Sequence, residues 1–123
     1  MVALLADRAG VGTWVADVLD GRRVVAPRLM PYEAANSLRR RELAGKLDGR
    51  GADLAHMQLR SLRVDLWPEH RTAVRAWELR HAVTYYDASY VALAELLDAP
   101  LVTLDRRLAR APGPRCAFLT PPA

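Results

Sequence analysis

The sequence predicts an α/β fold: a single domain built on a short parallel β-sheet flanked by helices on both faces. Segments with helical apolar periodicity alternate with short continuous apolar runs, which is what strands buried on both faces require. The chain has 123 residues, enough for one core and not for two. No internal repeat, low-complexity run or linker divides it, so residues 1–123 read as one layered domain.

In chain order, residues 11–19, "VGTWVADVL", set Val11, Trp14, Val15, Val18 and Leu19 on one helical face, and Asp20-Gly21 stops that helix. "RRVVAP" (22–27) is a short strand closed by proline. "MPYEAANSLRRRELAGK" opens a helix with Pro31 in its first turn and Gly45 at its end. Residues 52–62 form a further helix with Ala55, Leu59 and Leu62 as its stripe, and "RVDLW" (63–67) alternates as a strand. Residues 69–83 read as one helix with Ala73, Val74 and Trp77 turned to one side. After it come the helix of "TYYDASYVALAELL", the strand "LVTL", a short basic helix and a last strand at residues 116–119. Trp14, Trp67 and Trp77 fall on apolar stripes and are expected in the core.

Composition narrows the function classes. "MVALLA" is too short for a signal or membrane segment, and no later stretch approaches a span. The single cysteine, Cys116, permits no disulfide within one chain, which suits a reducing cytoplasm. There are 18 basic against 14 acidic residues, and all the basic ones but Lys46 are arginine. Arginine's planar fork suits phosphate, so an anionic partner fits, although a GC-rich genome yields the same bias. The sequence holds no P-loop, G-x-G-x-x-G, C-x-x-C or G-x-S-x-G, and His56, His70 and His81 lack metal-ligand spacing.

Three acids stand out by position. Asp105 directly follows the strand "LVTL", and Glu33 lies in the first turn of the helix after "RRVVAP". Both therefore belong to the carboxyl edge of the sheet, where open α/β folds bind ligands. Asp87 opens a helix and joins them if the chain connections bring that helix start to the same edge. Acids crowded on one rim repel unless a cation neutralises them, and carboxylate oxygens select Mg²⁺ or Mn²⁺. Such a site suits phosphodiester hydrolysis. Each acid also has an ordinary reading: Thr84 and Asp87 form a T-x-x-D capping box, Asp105 can cap "RRLAR", and Glu33 favours its helix dipole.

The segments "RVVAPRLMPYEAANSLRRRELAGKL", "AWELRHAVTYYDASYVALAELLDAPLVTLDRRLAR" and "APGPRCAFL" resemble PIN-domain ribonucleases, specifically VapC-type toxins of toxin–antitoxin pairs. The resemblance covers nearly the whole chain and is most specific in "YDASYVALAE" and "LVTLD". It implies a PIN-like domain that binds Mg²⁺ or Mn²⁺ through Glu33, Asp87 and Asp105 and cuts RNA, with tRNA a candidate by analogy. Thr103 would be a supporting hydroxyl beside Asp105, and Asn36 a partner one turn after Glu33. The resemblance also implies a homodimer and a VapB-type antitoxin that blocks the site. In that setting Arg39, Arg40 and Arg41, or Arg106, Arg107 and the residues up to 110, would hold the RNA backbone. The runner-up is a catalytically impaired PIN-like domain that binds RNA or antitoxin without cleavage. A phosphatase ranks third, since no nucleophile motif follows a strand end.

One departure matters. The family opens with a hydrophobic strand ending in an aspartate, "V-D-A-S", before a helix resembling "ALVALLAD". Here "MVALLAD" matches the part after that aspartate, so the first strand and its acid read as missing. Asp7 is the one acid nearby and reads as a helix end, with a strand ending near Asp7 as the alternative. A start placed too late or a truncated chain would account for the gap. The sequence as written is then expected to fold poorly, to recruit "MVALLA" as a substitute strand, or to take a strand from a partner.

Overall fold

The computed structural model describes residues 2–3 and 12–122. Its centre is a parallel sheet of β1 (Val2–Ala3), β2 (Val25–Pro27), β3 (Asp65–Trp67), β4 (Leu101–Val102) and β5 (Phe118–Leu119), in the spatial order β3-β2-β1-β4-β5. The chain builds outward from β1 to β2 and β3, then crosses to the other side for β4 and β5. That reversal makes a topological switch point between β1 and β4, whose carboxyl ends frame a crevice.

Of the three N-terminal expectations, the substitute strand is the one met, over Val2–Ala3. Val2 pairs with both Val25 and Leu101, and Ala3 with Val102, so Val2–Ala3 is the central strand. A parallel sheet cannot leave two strands facing an interior gap, because their N–H and C=O groups would lack partners. Val2–Ala3 fills that gap. Asp7, the candidate replacement acid, lies outside the described residues.

Helices cover both faces of the sheet. α1 (Gly12–Leu19) ends where Gly21 takes φ +70°, as the Asp-Gly pair predicts. α2 (Met30–Leu43) carries Pro31 in its first turn and stops before Gly45 at φ +76°. α3 (Gly49–Ser61) is capped by Asp48, whose Oδ1 accepts the Gly51 N–H at 2.6 Å, and it packs back on α2. Its inward face is Ala52 with half-buried Ala55 and Leu59, while Leu62 lies past the helix end and is exposed.

The single helix expected over residues 69–83 is divided. A 3₁₀ turn at Glu69–Arg71 is followed by α4 (Ala73–Glu78) and a further turn. Thr72, at φ −121° and ψ −4°, interrupts the helical path, and its hydroxyl bonds the Glu69 carbonyl at 3.2 Å. The break rotates α4, so Ala76 and Leu79 face the core while Val74 and Trp77 face outward. Trp77, expected inside, is 59% exposed and carries the Arg80 guanidinium 4.6 Å from its ring centroid. Trp14 and Trp67 are half-buried, and Trp67 packs against the core. The three histidines are exposed.

α5 (Tyr85–Leu97) is the keystone: every residue from Ala88 to Ala94 is buried, and the helix packs across β1, β2 and β4. It ends where Asp98 turns into the left-handed region at φ 49°, ahead of Pro100. α6 (Arg106–Arg110) links β4 to β5. The loop before β5 is held by Arg75, which donates to both Glu95 oxygens at 2.7 and 3.2 Å and to the Gly113 carbonyl at 2.9 Å. Among the described residues, no helix is long and apolar enough to cross a membrane.

Candidate active site

The chain connections answer what the sequence left open about Asp87. α5 reaches β4 through the short link around residues 98–100, which lies at the amino end of β4. The helix therefore runs antiparallel to the strands, and its first turn stands at their carboxyl edge. There Asp87 meets Glu33, from the first turn of α2, and Asp105, which follows β4.

Local chemistry fixes each acid. The Thr84 hydroxyl caps α5 by accepting the Asp87 N–H at 3.1 Å. Asp105 caps α6: its Oδ1 accepts the N–H groups of Arg107 at 2.9 Å and Leu108 at 3.2 Å. Behind it Thr103, wholly buried, accepts the Asp105 N–H on its Oγ1 at 3.0 Å. The capping readings thus hold for Asp105 and for Thr84, and capping leaves the acids at the rim.

Electrostatics tie the acids into one cluster. Burial pushes the Asp87 carboxyl above its ordinary range, the Asp105 charge adds to this, and the Thr84 hydrogen bond opposes it. Burial likewise raises the Glu33 carboxyl; the Tyr90 hydrogen bond opposes the rise, Asp87 adds to it and Arg40 counters it. Asp87 is the middle member, coupled to a carboxylate on either side. Burial, followed by the Glu33 charge, pushes the Tyr90 phenol well above its usual range, so it remains a donor.

The supporting residues sort differently. Thr103 stands beside Asp105, whose N–H it accepts. Asn36 is exposed and hydrogen-bonds none of the three acids; Glu33 is instead held by Tyr90, whose hydroxyl donates to its Oε1 at 2.9 Å. Tyr90 escaped the sequence reading, although its spacing of three from Asp87 put it on the same helical face. Arg39 and Arg40 are exposed on α2, with Arg40 donating to the Ser37 hydroxyl at 2.9 Å, and Arg41 is half-buried. Arg107 is exposed beside Asp105, whereas Arg106 donates to the Pro121 carbonyl.

The donor set is all oxygen and mutually repelling, which fits a hard divalent cation. Among the described residues, no three acids, histidines or cysteines stand close enough to share one ion directly. Mg²⁺, which keeps several waters and takes few protein ligands, tolerates such spacing.

A five-stranded parallel sheet in this order, with acids gathered from three elements at its carboxyl edge, defines a class. The sequence profile of the PIN domain matches residues 1–114, and the chain belongs to the PIN-domain family. It is 44% identical over 92 residues to "Ribonuclease VapC1" of Mycobacterium tuberculosis (strain ATCC 25618 / H37Rv), covering 74% of this chain and 69% of that protein. It is 38% identical over 108 residues to "Ribonuclease VapC9" of the same strain, covering 85% and 83%. The crystal structure of PAE2754 from Pyrobaculum aerophilum superposes with a TM-score of 0.69 at 27% identity, covering 95% of this chain and 80% of that one.

Proposed function

We propose that the chain is a metal-dependent endoribonuclease, the toxin of a VapBC-type pair, restrained by a VapB-type antitoxin. The coupling of Glu33, Asp87 and Asp105 across three separate elements carries this reading, together with the ribonuclease names of the relatives. Glu33, Asp87 and Asp105 would hold Mg²⁺ or Mn²⁺, directly or through water. The bound cation supplies Lewis-acid stabilisation of charge at the scissile phosphate. The carboxylates orient water on the rim, and the exposed Arg39, Arg40 and Arg107 hold the phosphate backbone on either side. A homodimer and a cytoplasmic setting complete the reading.

Asparagine variants test it. Asparagine caps a helix about as well as aspartate, so Asp105→Asn can keep the bonds to Arg107 and Leu108 while removing the charge a cation needs. Asp105→Asn and Asp87→Asn should each lower RNA cleavage with Mn²⁺ by at least about a hundredfold, as removal of one transition-state stabiliser does elsewhere, with antitoxin binding retained. Cleavage at the parental rate would leave the residue a cap and nothing more. The second reading is a PIN-like domain that binds RNA or the antitoxin without cutting RNA. Retained RNA binding with no metal-stimulated cleavage by the parental chain would select that reading.

A further inference from the structure

Tyr90 is the largest fully buried side chain among the described residues, so its hydroxyl is a polar atom withdrawn from solvent. A buried phenol needs an acceptor. It finds one 57 residues away in the chain, in Glu33 of α2. Tyr90 lies one turn after Asp87 on α5, so the two project from the same side of the helix. One helix thus carries an acid of its own and grips a second acid through the phenol. Only Oε1 of Glu33 is engaged; Oε2 has no hydrogen-bond partner among the described residues.

The structure assigns Tyr90 as a positioning residue of the acidic site: its hydroxyl fixes the Glu33 carboxylate against α5, holding it near Asp87 and leaving Oε2 for the cation or its water. A glutamate in the first turn of a helix otherwise samples several rotamers, and each would present its charge to a different point of the rim. Locking the rotamer before the cation arrives removes that ordering cost from binding. This inference rests on the reading of Glu33, Asp87 and Asp105 as a metal site. It goes beyond that reading by giving a residue off the acid set a share in cation affinity.

The test is Mn²⁺ titration of the full chain by calorimetry, with thermal melting alongside, for Tyr90→Phe, Glu33→Gln, the double variant and Asp105→Asn. Tyr90→Phe keeps the ring and should weaken Mn²⁺ binding about tenfold or more, as loss of a ligand's supporting hydrogen bond does elsewhere. In the Glu33→Gln background the same change should have little further effect, since no carboxylate remains to be positioned. Equal losses in both backgrounds would make Tyr90 a packing residue and overturn the inference. So would parental affinity in Tyr90→Phe when Asp105→Asn has lost binding. Parental affinity in Asp105→Asn would sink the metal-site reading and this inference with it. Should Tyr90→Phe fail to fold, Glu33→Asp breaks the same bond from α2 while keeping the charge; unchanged Mn²⁺ affinity there would overturn the assignment.

Discussion

Asp87 and Glu95 lie on the same helix, and their surroundings push them in opposite directions. Burial and the Asp105 charge raise the Asp87 carboxyl above its ordinary value of 3.8. Its favourable contribution is therefore fully present only below that value, and is lost as pH rises through the folded pKa. At neutral pH and without metal, Asp87 is a cost to folding. Burial also pushes Glu95 up, but the paired bonds from Arg75 and the Arg115 N–H outweigh it and hold the carboxyl below 4.5. Its contribution is fully present above that value and is lost as pH falls through the depressed folded pKa. In EDTA, Asp87→Asn should melt higher than the parent at pH 7, with the gap closing toward acid. Glu95→Gln should lose about 1.5–3 kcal/mol at pH 7, again with the gap closing in acid. Melting curves recorded from pH 7 to 4 check both; gaps that do not change with pH would sink the assignment of either shift.

At the scale of the element, α2 does two things at once. Its first turn delivers Glu33 to the sheet edge, and its later turns expose Arg39 and Arg40 to solvent. If that surface holds single-stranded RNA, each neutralised phosphate contributes about 0.7 to the slope of log affinity against log salt. Replacing Arg39 and Arg40 by alanine should flatten the slope by roughly 1.4, for two phosphates. Arg41, being half-buried, is better left in place for this measurement. An unchanged slope would give those arginines to the antitoxin, to a second copy or to solvent.

For the molecule as a whole, the decisive element is a very short one. β1 pairs on both sides, with β2 and with β4, and joins the two halves of the sheet. Without it, backbone groups of both neighbours face an interior gap, each costing about 1–3 kcal/mol. Domain stability is typically about 5–15 kcal/mol in total, so a few such groups exhaust it. Deleting residues 1–3 should abolish cooperative melting, and Val2→Pro, which removes a ladder donor from a central strand, should lower the melting temperature sharply. A deleted form that melts as the parent does would show that the sheet holds without its centre.

The sequence by itself determined the α/β class, because helical periodicity and continuous apolar runs are local patterns that each element must show wherever it packs. It also placed Glu33 and Asp105 at the carboxyl edge, since both directly follow strands, and it marked the helix stops at Gly21 and Gly45. Other features depended on residues far apart in the chain. Asp87 reached the rim only because α5 runs back against β4. Trp77 turned outward because the break at Thr72 rotated α4, which no apolar stripe read as one long helix could show. The strand at Val2–Ala3 was settled by the two neighbours that needed a partner, so these two residues became sheet where the resemblance aligned them with a helix. Tyr90 bonds Glu33 because a buried hydroxyl must find an acceptor, and the packing of α5 brought Glu33 within its reach. Local pattern fixes what an element is; which groups meet is fixed by the need to satisfy every buried polar atom and strand edge at once, and that is decided only in three dimensions.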